Sequence, residues 1–298
     1  MTEGLDAIYD ELRRLQKEGV GHVFVEDTTQ SLLTTNSGAS ASLKRGEPVE
    51  HESLAELIKK PAAPAPVKEI TKAQAAVATL PDLPAIEIPD VESNQQLEWL
   101  KERVLACETC KQQKKDEEKL VFGEGAHDAD ILFCGDAPGT DEARSGVPFA
   151  GDAGELLNKI IKAMGLNRSK VYCTYLVKWR PKNDKPYGNR PPNSEELRFC
   201  LPYFRAEVDI VRPKVIVALG QNTVNGLFGF KPERKLGQIR GTWDVFQDTP
   251  TLITFCPSYL LRNDSMKTKR LVWEDLLSAI EKVGLPISDK QRGFFLPK

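Results

Sequence analysis

Residues 129–166, ADILFCGDAPGTDEARSGVPFAGDAGELLNKIIKAMGL, decide the fold. Ile131, Leu132 and Phe133 form a short apolar run that reads as a buried strand, and the run breaks at Gly135-Asp136-Ala137-Pro138-Gly139 into a loop. A second glycine-rich turn, Phe149-Ala150-Gly151-Asp152-Ala153-Gly154, leads into a helix whose apolar residues Leu156, Leu157, Ile160, Ile161 and Met164 recur at helical spacing. A strand, a glycine-bracketed loop and a helix start are the parts from which α/β proteins build ligand sites.

Working outward, the same alternation continues. A helix through Leu97, Leu100, Val104 and Leu105 precedes the strand; a strand at 170–177 and a Pro- and Asn-rich loop at 181–192 follow it. A helix at 194–211 comes next, with Asn193 or Ser194 and Glu196 suited to its cap and Pro213 beyond its end. A strand at 215–219, a helix at 222–227, a strand at 252–255 and a final helix at 267–283 complete the pattern. Strands separated by helices imply a parallel sheet covered on both faces.

The N-terminal third reads differently. Leu5, Ile8, Tyr9, Leu12 and Leu15 predict an amphipathic helix over 5–18, and residues 23–25 a short strand. Residues 28–94 are rich in Ala, Pro, Ser and Thr around Pro61-Ala-Ala-Pro-Ala-Pro66, which predicts a flexible linker with a weak helix at 54–59. The expected division is a helical segment 1–27, a linker 28–94 and a folded domain 95–298. Two readings of the first helix stay open: docking on a protein partner, or packing on a core of its own.

The chain has 298 residues, 40% hydrophobic and 28% charged, an ordinary composition for a folded protein. No apolar run approaches the roughly 18 residues of a membrane span, and MTEGLDAIYDELRR lacks the order of a signal peptide, so a cytoplasmic protein without a membrane partner is expected. Six cysteines then read as thiols or metal ligands. Residues 1–95 hold 16 acidic and 9 basic side chains, leaving 27 and 32 for the rest. The C-terminal two thirds are mildly basic, which tolerates a polyanion without demanding one.

Four separated motifs, GDAPGTDEARSGVPFAGDAGELL, VYCTYLVKWRP, RPKVIVALG and CPSYLLRN, stand in this order over residues 97–284. Together they resemble the uracil-DNA glycosylase superfamily, and within it the family 4 enzymes that carry an iron-sulfur cluster. The resemblance implies an α/β/α sandwich of three layers with a four-stranded parallel sheet, a DNA groove at the carboxyl ends of the strands, and single- or double-stranded DNA containing uracil as partner. It also implies roles. Phe149 matches the stacking aromatic, and Asp136 stands where the family has glutamate, one methylene longer. Taken alone, Asp136 would read as a turn residue and Phe149 as a core residue.

The sequence departs from the family in three further places. Tyr175 replaces the asparagine whose amide matches the polar edge of uracil. Cys256 replaces the histidine that donates to the uracil oxygen as charge develops there, and a thiol is a weak donor. Trp179 replaces the third of four cluster cysteines, leaving Cys107, Cys110 and Cys200 as an incomplete metal set. Indole cannot ligate iron, so no cofactor is expected unless another ligand replaces Trp179 in a 4Fe-4S site. C-x-x-C alone equally suits a zinc half-site or two idle thiols.

Residues 257–263, PSYLLRN, resemble the loop that enters the minor groove, making Ser258, Leu261 and Arg262 candidate DNA contacts. Leu260 and Leu261 could instead belong to the core. Lys178, with Arg180, Lys182, Lys185 and Arg190, forms a basic stretch able to meet phosphates, or simply a solvated loop. Two functions are carried forward: a hydrolase excising uracil or another damaged base from DNA, its chemistry altered by the three departures, and a catalytically inactive member that binds DNA or protein.

Overall fold

The computed structural model describes residues 80–81, 86–183 and 188–296. The expected helix at 5–18, strand at 23–25, proline-rich segment and helix at 54–59 lie outside the described residues, as does Lys185. In chain order the elements are α1 (Ser93–Ala106), α2 (Glu108–Gln113), β1 (Glu124–Gly125), β2 (Ile131–Gly135), α3 (Thr140–Ser145) and α4 (Asp152–Ala163). They continue with β3 (Tyr172–Tyr175), α5 (Ser194–Val211), β4 (Val215–Leu219), α6 (Gln221–Phe228), α7 (Leu236–Ile239) and β5 (Trp243–Phe246). The last are β6 (Thr249–Thr254), α8 (Pro257–Arg262), α9 (Met266–Lys282) and α10 (Asp289–Arg292).

The strands form one sheet in the order β1-β3-β2-β4-β6-β5. Its centre, β3-β2-β4-β6, is the expected four-stranded parallel sheet, with Cys134 opposite Thr174 and Ala218, and Ala218 opposite Ile253. Two antiparallel edges are added, β1 on β3 and β5 on β6. The sequence reading lacked β5 because its hairpin turns on Gln247-Asp248, both with positive φ (46° and 62°), instead of the Asn-Gly or Asp-Gly pair that marks such turns. β1 is two residues long and carries no alternation to read.

Every residue of β2, β3 and β4 is buried, because period-2 side chains meet helices on both faces. Leu132, Cys134, Ile216 and Ala218 face the layer holding α1, α5 and α6, where Leu100, Phe204 and Val224 pack. Ile131, Phe133, Val215 and Val217 face α4 and α9, where Leu157, Ile161, Trp273 and Leu276 pack. Leu80, Ile86 and Ile88, from the stretch expected to be linker, pack against the first of these layers.

The helices start where their caps say. The Asn193 side chain accepts from the Glu196 N–H while the Glu196 carboxylate accepts from the Asn193 N–H, and α5 ends at Arg212 in the left-handed region. Pro202 lies inside α5 and removes one intrahelical bond, a loss of about 3 kcal/mol in a helix interior. The helix persists because Phe199, Tyr203, Phe204, Val208 and Val211 are buried beneath it, each contributing roughly 1.5–3 kcal/mol. Among the described residues, no helix is long and apolar enough to cross a membrane.

Candidate active site

The carboxyl ends of the four parallel strands deliver the candidate residues to one place. Asp136 follows β2, Tyr175 ends β3, Asn222 opens α6 just after β4, and Cys256 lies just after β6. The ends are held level by bonds beyond the strands: Leu176 N–H to the Gly135 carbonyl (2.9 Å), Val177 N–H to that of Asp136 (3.0 Å) and Gly220 N–H to that of Thr254 (2.9 Å). Asp136, Phe149, Tyr175, Cys256, Ser258 and Arg262 line a single cavity of about 350 Å³.

One carboxylate holds both glycine-rich turns. Buried Glu142 accepts from the Gly139 N–H (3.0 Å) in the first loop and from the Ala150 (3.1 Å) and Gly151 (3.3 Å) N–H groups in the second. Between them Phe149 adopts φ 55°, a left-handed conformation that is costly for a bulky residue. Gly154 permits it, because a Cβ there would overlap the Phe149 carbonyl. Strain of this kind, over-determined by its surroundings, aims the Phe149 ring into the cavity wall.

Asp136 accepts a hydrogen bond from the Asn222 side-chain amide (2.9 Å). Burial raises its pKa above the ordinary carboxylate value, and the Asn222 bond opposes that rise. Asn222 and Glu142 were not singled out in the sequence. For Glu142 the signal was present only in part, a glutamate three residues after the glycine that caps α3, whose carboxylate reaches back to that glycine's N–H; nothing local marked Asn222, which meets Asp136 only through the β2–β4 pairing.

The Tyr175 ring stacks on Phe149 at 4.5 Å between centroids and 25° between planes. Gly135 lies against both rings: a Cβ there would come within 2.6 Å of the Tyr175 ring and 3.2 Å of the Phe149 ring. Burial raises the phenol pKa well above its ordinary value. One face of the Phe149 ring is therefore covered by Tyr175.

On the opposite wall, Cys256 is half-buried with its sulfur 3.1 Å from the Ser258 hydroxyl. The segment expected as a loop is the short helix α8, with Pro257 in its first turn, where a missing N–H costs nothing. The helix divides the leucine pair: Leu260 is buried in the core and Leu261 is 48% exposed beside exposed Arg262.

Lys178 does not face DNA. It is fully buried, its Nζ donating to Glu207 Oε2 (2.6 Å), Thr174 Oγ1 (3.0 Å) and the Tyr175 carbonyl (2.8 Å). Glu207 also accepts from the Tyr172 hydroxyl and the Gly123 N–H, so the pair is hydrogen-bonded on several sides, as a buried ion pair must be. The sequence reading failed here because the partner carboxylate lies 29 residues away. Arg180 pairs with Glu118 (2.8 Å), Arg190 with Glu196 (2.7 Å), and Lys182 donates to the Gln112 carbonyl (2.7 Å).

The three expected metal ligands do converge behind the sheet. Cys107 is half-buried where α1 meets α2 and interacts with the Tyr203 hydroxyl and with Cys110; Cys110 and Cys200 are fully buried. Burial pushes the Cys200 thiol up to about 12 and Cys110 higher still. Burial also opposes ionisation of Cys107, yet hydrogen bonds from Tyr203 and the α2 backbone leave its pKa below the ordinary thiol value. Trp179 is wholly buried in this cluster, tilted on Phe199 at 5.9 Å, with its indole N–H unpartnered. Three thiols and an indole do not fit a four-cysteine cluster, and no group of three or more His, Cys, Asp or Glu among the described residues is arranged to hold a metal ion.

Residues 122–277 match the family model of the uracil DNA glycosylase superfamily. The chain is 37% identical over 184 residues to the type-4 uracil-DNA glycosylase of Thermotoga maritima, an alignment covering 61% of this chain and 92% of that protein. It is 38% identical over 166 residues to the type-4 uracil-DNA glycosylase of Sulfurisphaera tokodaii, covering 55% of this chain and 73% of the relative. A weaker likeness, 28% over 103 residues, links 34% of this chain to 11% of a DNA polymerase of Bacillus phage SP01.

Proposed function

Because the chain belongs to the uracil-DNA glycosylase superfamily, we propose that it acts on DNA in base excision repair, hydrolysing the N-glycosidic bond of uracil or another damaged base. The observation that carries this reading is the gathering of Asp136, Asn222, Phe149 and α8 around one cavity at the carboxyl edge of the parallel sheet. Six free thiols suit the cytoplasm, and the amphipathic 1–27 segment suits a protein partner.

A base inside a duplex must be flipped out before its glycosidic bond can be reached. Breaking that bond leaves an oxocarbenium-like sugar and an anionic base, so the site must balance one positive and one negative charge. In this reading the Asp136 carboxylate, held by Asn222, orients the attacking water and balances the sugar's charge. Cys256 and Ser258 face the leaving base, and the Ser258 hydroxyl is the stronger donor of the two. Leu261 enters the gap in the stack while Arg262 meets a phosphate beside it.

The Tyr175–Phe149 stack favours a second reading, a member that binds DNA or protein and excises nothing. Single-turnover assays with enzyme in excess, on single-stranded and duplex oligonucleotides containing uracil, separate the two. Excision that disappears in Asp136→Ala supports the glycosylase; salt-sensitive DNA binding without excision supports the binding protein.

A further inference from the structure

Trp179 changes what the three gathered cysteines can do. With the indole packed on Phe199 and wholly buried, the space toward a fourth ligand is filled by carbon, and Cys107 and Cys110 remain as a dithiol at the junction of α1 and α2. Cys107 is both the last cap of α1 and the first of α2, and its carbonyl accepts the Lys111 N–H (3.0 Å) that starts the new helix. Cys110 stands three residues on, in the first turn of the helix that Cys107 caps. A disulfide needs about 3.5–4.5 Å between Cβ atoms, a span within reach of two residues this near in sequence once the half-exposed Cys107 side swings inward. Its sulfur already interacts with Cys110.

The two sulfurs differ in access. Cys107 is reachable from solvent, whereas Cys110 is fully buried behind it, the order required of an attacking and a resolving thiol. Cys200 lies behind both on α5, itself fully buried.

We propose that Cys107 and Cys110 form a redox-active dithiol that hydrogen peroxide converts to an intramolecular disulfide. The Cys107 sulfur attacks one peroxide oxygen, the O–O bond breaks, and the other oxygen leaves as water, giving a sulfenic acid. The Cys110 sulfur then attacks the sulfenic sulfur, the S–O bond breaks, and the hydroxyl leaves with the Cys110 proton as a second water. Two thiols lose two electrons and two protons, and peroxide is reduced to two waters.

The test uses the full chain. Trypsin cleavage after Arg103 and Lys111 releases both cysteines in one peptide, VLACETCK. After peroxide treatment and alkylation, that peptide is expected two hydrogens lighter, free of alkyl label, and fully labelled again once dithiothreitol is added. Two of the six thiols disappear on titration in denaturant. Cys107→Ser abolishes this loss, and Cys200→Ser preserves it. A peptide still labelled on both cysteines, a cross-link to the peptide holding Cys200, or iron bound to these cysteines in the purified protein would each overturn the proposal. The mapping in the unaltered chain decides even if a variant fails to fold.

Discussion

Tyr175 lies on Phe149 with ring centroids 4.5 Å apart and planes 25° from parallel, and Gly135 lies against both rings. An aromatic pair of this kind is stabilised by about 0.5–1.5 kcal/mol beyond the area it buries. A flipped base must therefore displace the tyrosine or lie elsewhere in the cavity. Tyr175→Asn removes the obstruction and supplies an amide able both to donate and to accept. Single-turnover uracil excision should rise on the order of 10²-fold, since a site lacking the matching polar partner forfeits up to 10⁴–10⁵ in discrimination. An unchanged rate in a folded variant would show that Tyr175 does not limit excision.

Asp136 is raised by burial, so its folded form holds a proton at pH values where an unfolded chain has lost it. If the carboxylate is the working form, excision climbs as pH rises through that raised value. Stability moves the other way: the contribution of the protonated carboxyl is full below the unfolded pKa and is lost as pH rises through the folded one. Asp136→Asn should therefore lower excision by about 10²–10⁴-fold while raising the Tm at neutral pH. A rate profile flat across this range removes Asp136 from the chemistry.

Glu142 ties the Gly139 loop to the Ala150-Gly151 turn, accepting three backbone N–H groups. Glu142→Gln turns one acceptor into a donor facing a donor. The expected cost is about 1–3 kcal/mol, with faster hydrogen exchange at the Ala150 and Gly151 amides. Protection unchanged at both amides would contradict the bridging role.

Lys178 and Arg262 should separate in a salt titration of DNA binding. Arg262→Ala, at an exposed position, lowers the slope of log K against log salt by about one. Lys178→Met leaves the slope alone but costs about 3–5 kcal/mol of stability, because Glu207 is left buried without its cation. A reduced slope in a stable Lys178→Met protein would return that lysine to the DNA surface.

Trp179→Cys places a fourth thiol among Cys107, Cys110 and Cys200. Reconstituted anaerobically with iron and sulfide, the variant should retain about four irons per chain, the content of a four-cysteine cluster, and the unaltered protein none. Iron retained equally by both proteins would mean that the indole is no barrier.

The elements that were legible in the sequence are those whose signal is local. The capping box at Asn193–Glu196 and the helical spacing of Leu157 and Ile161 marked their helices, and the continuous apolar runs of β2 and β4 marked strands buried on both faces. The sheet edge at β5 was not, because three of its four residues meet solvent and its turn uses an uncommon pair. In the cavity, Asp136, Phe149, Cys256 and Ser258 were named from motif order, yet the partner of Asp136 was supplied by the fold: Asn222 lies 86 residues from Asp136 and meets it only because β2 pairs with β4.

The sequence by itself thus determined the order of the four central strands and the long helices between them, the family, and the chemical poverty of the chain at Tyr175, Cys256 and Trp179, since residue identity and short-range periodicity are local properties of the chain. Only the tertiary structure decided that Lys178 is buried against Glu207, that Leu260 faces the core while Leu261 faces solvent, and that Tyr175 covers Phe149. Each depends on which distant atoms the sheet brings together, and burial, charge pairing and ring stacking exist only between groups that have met.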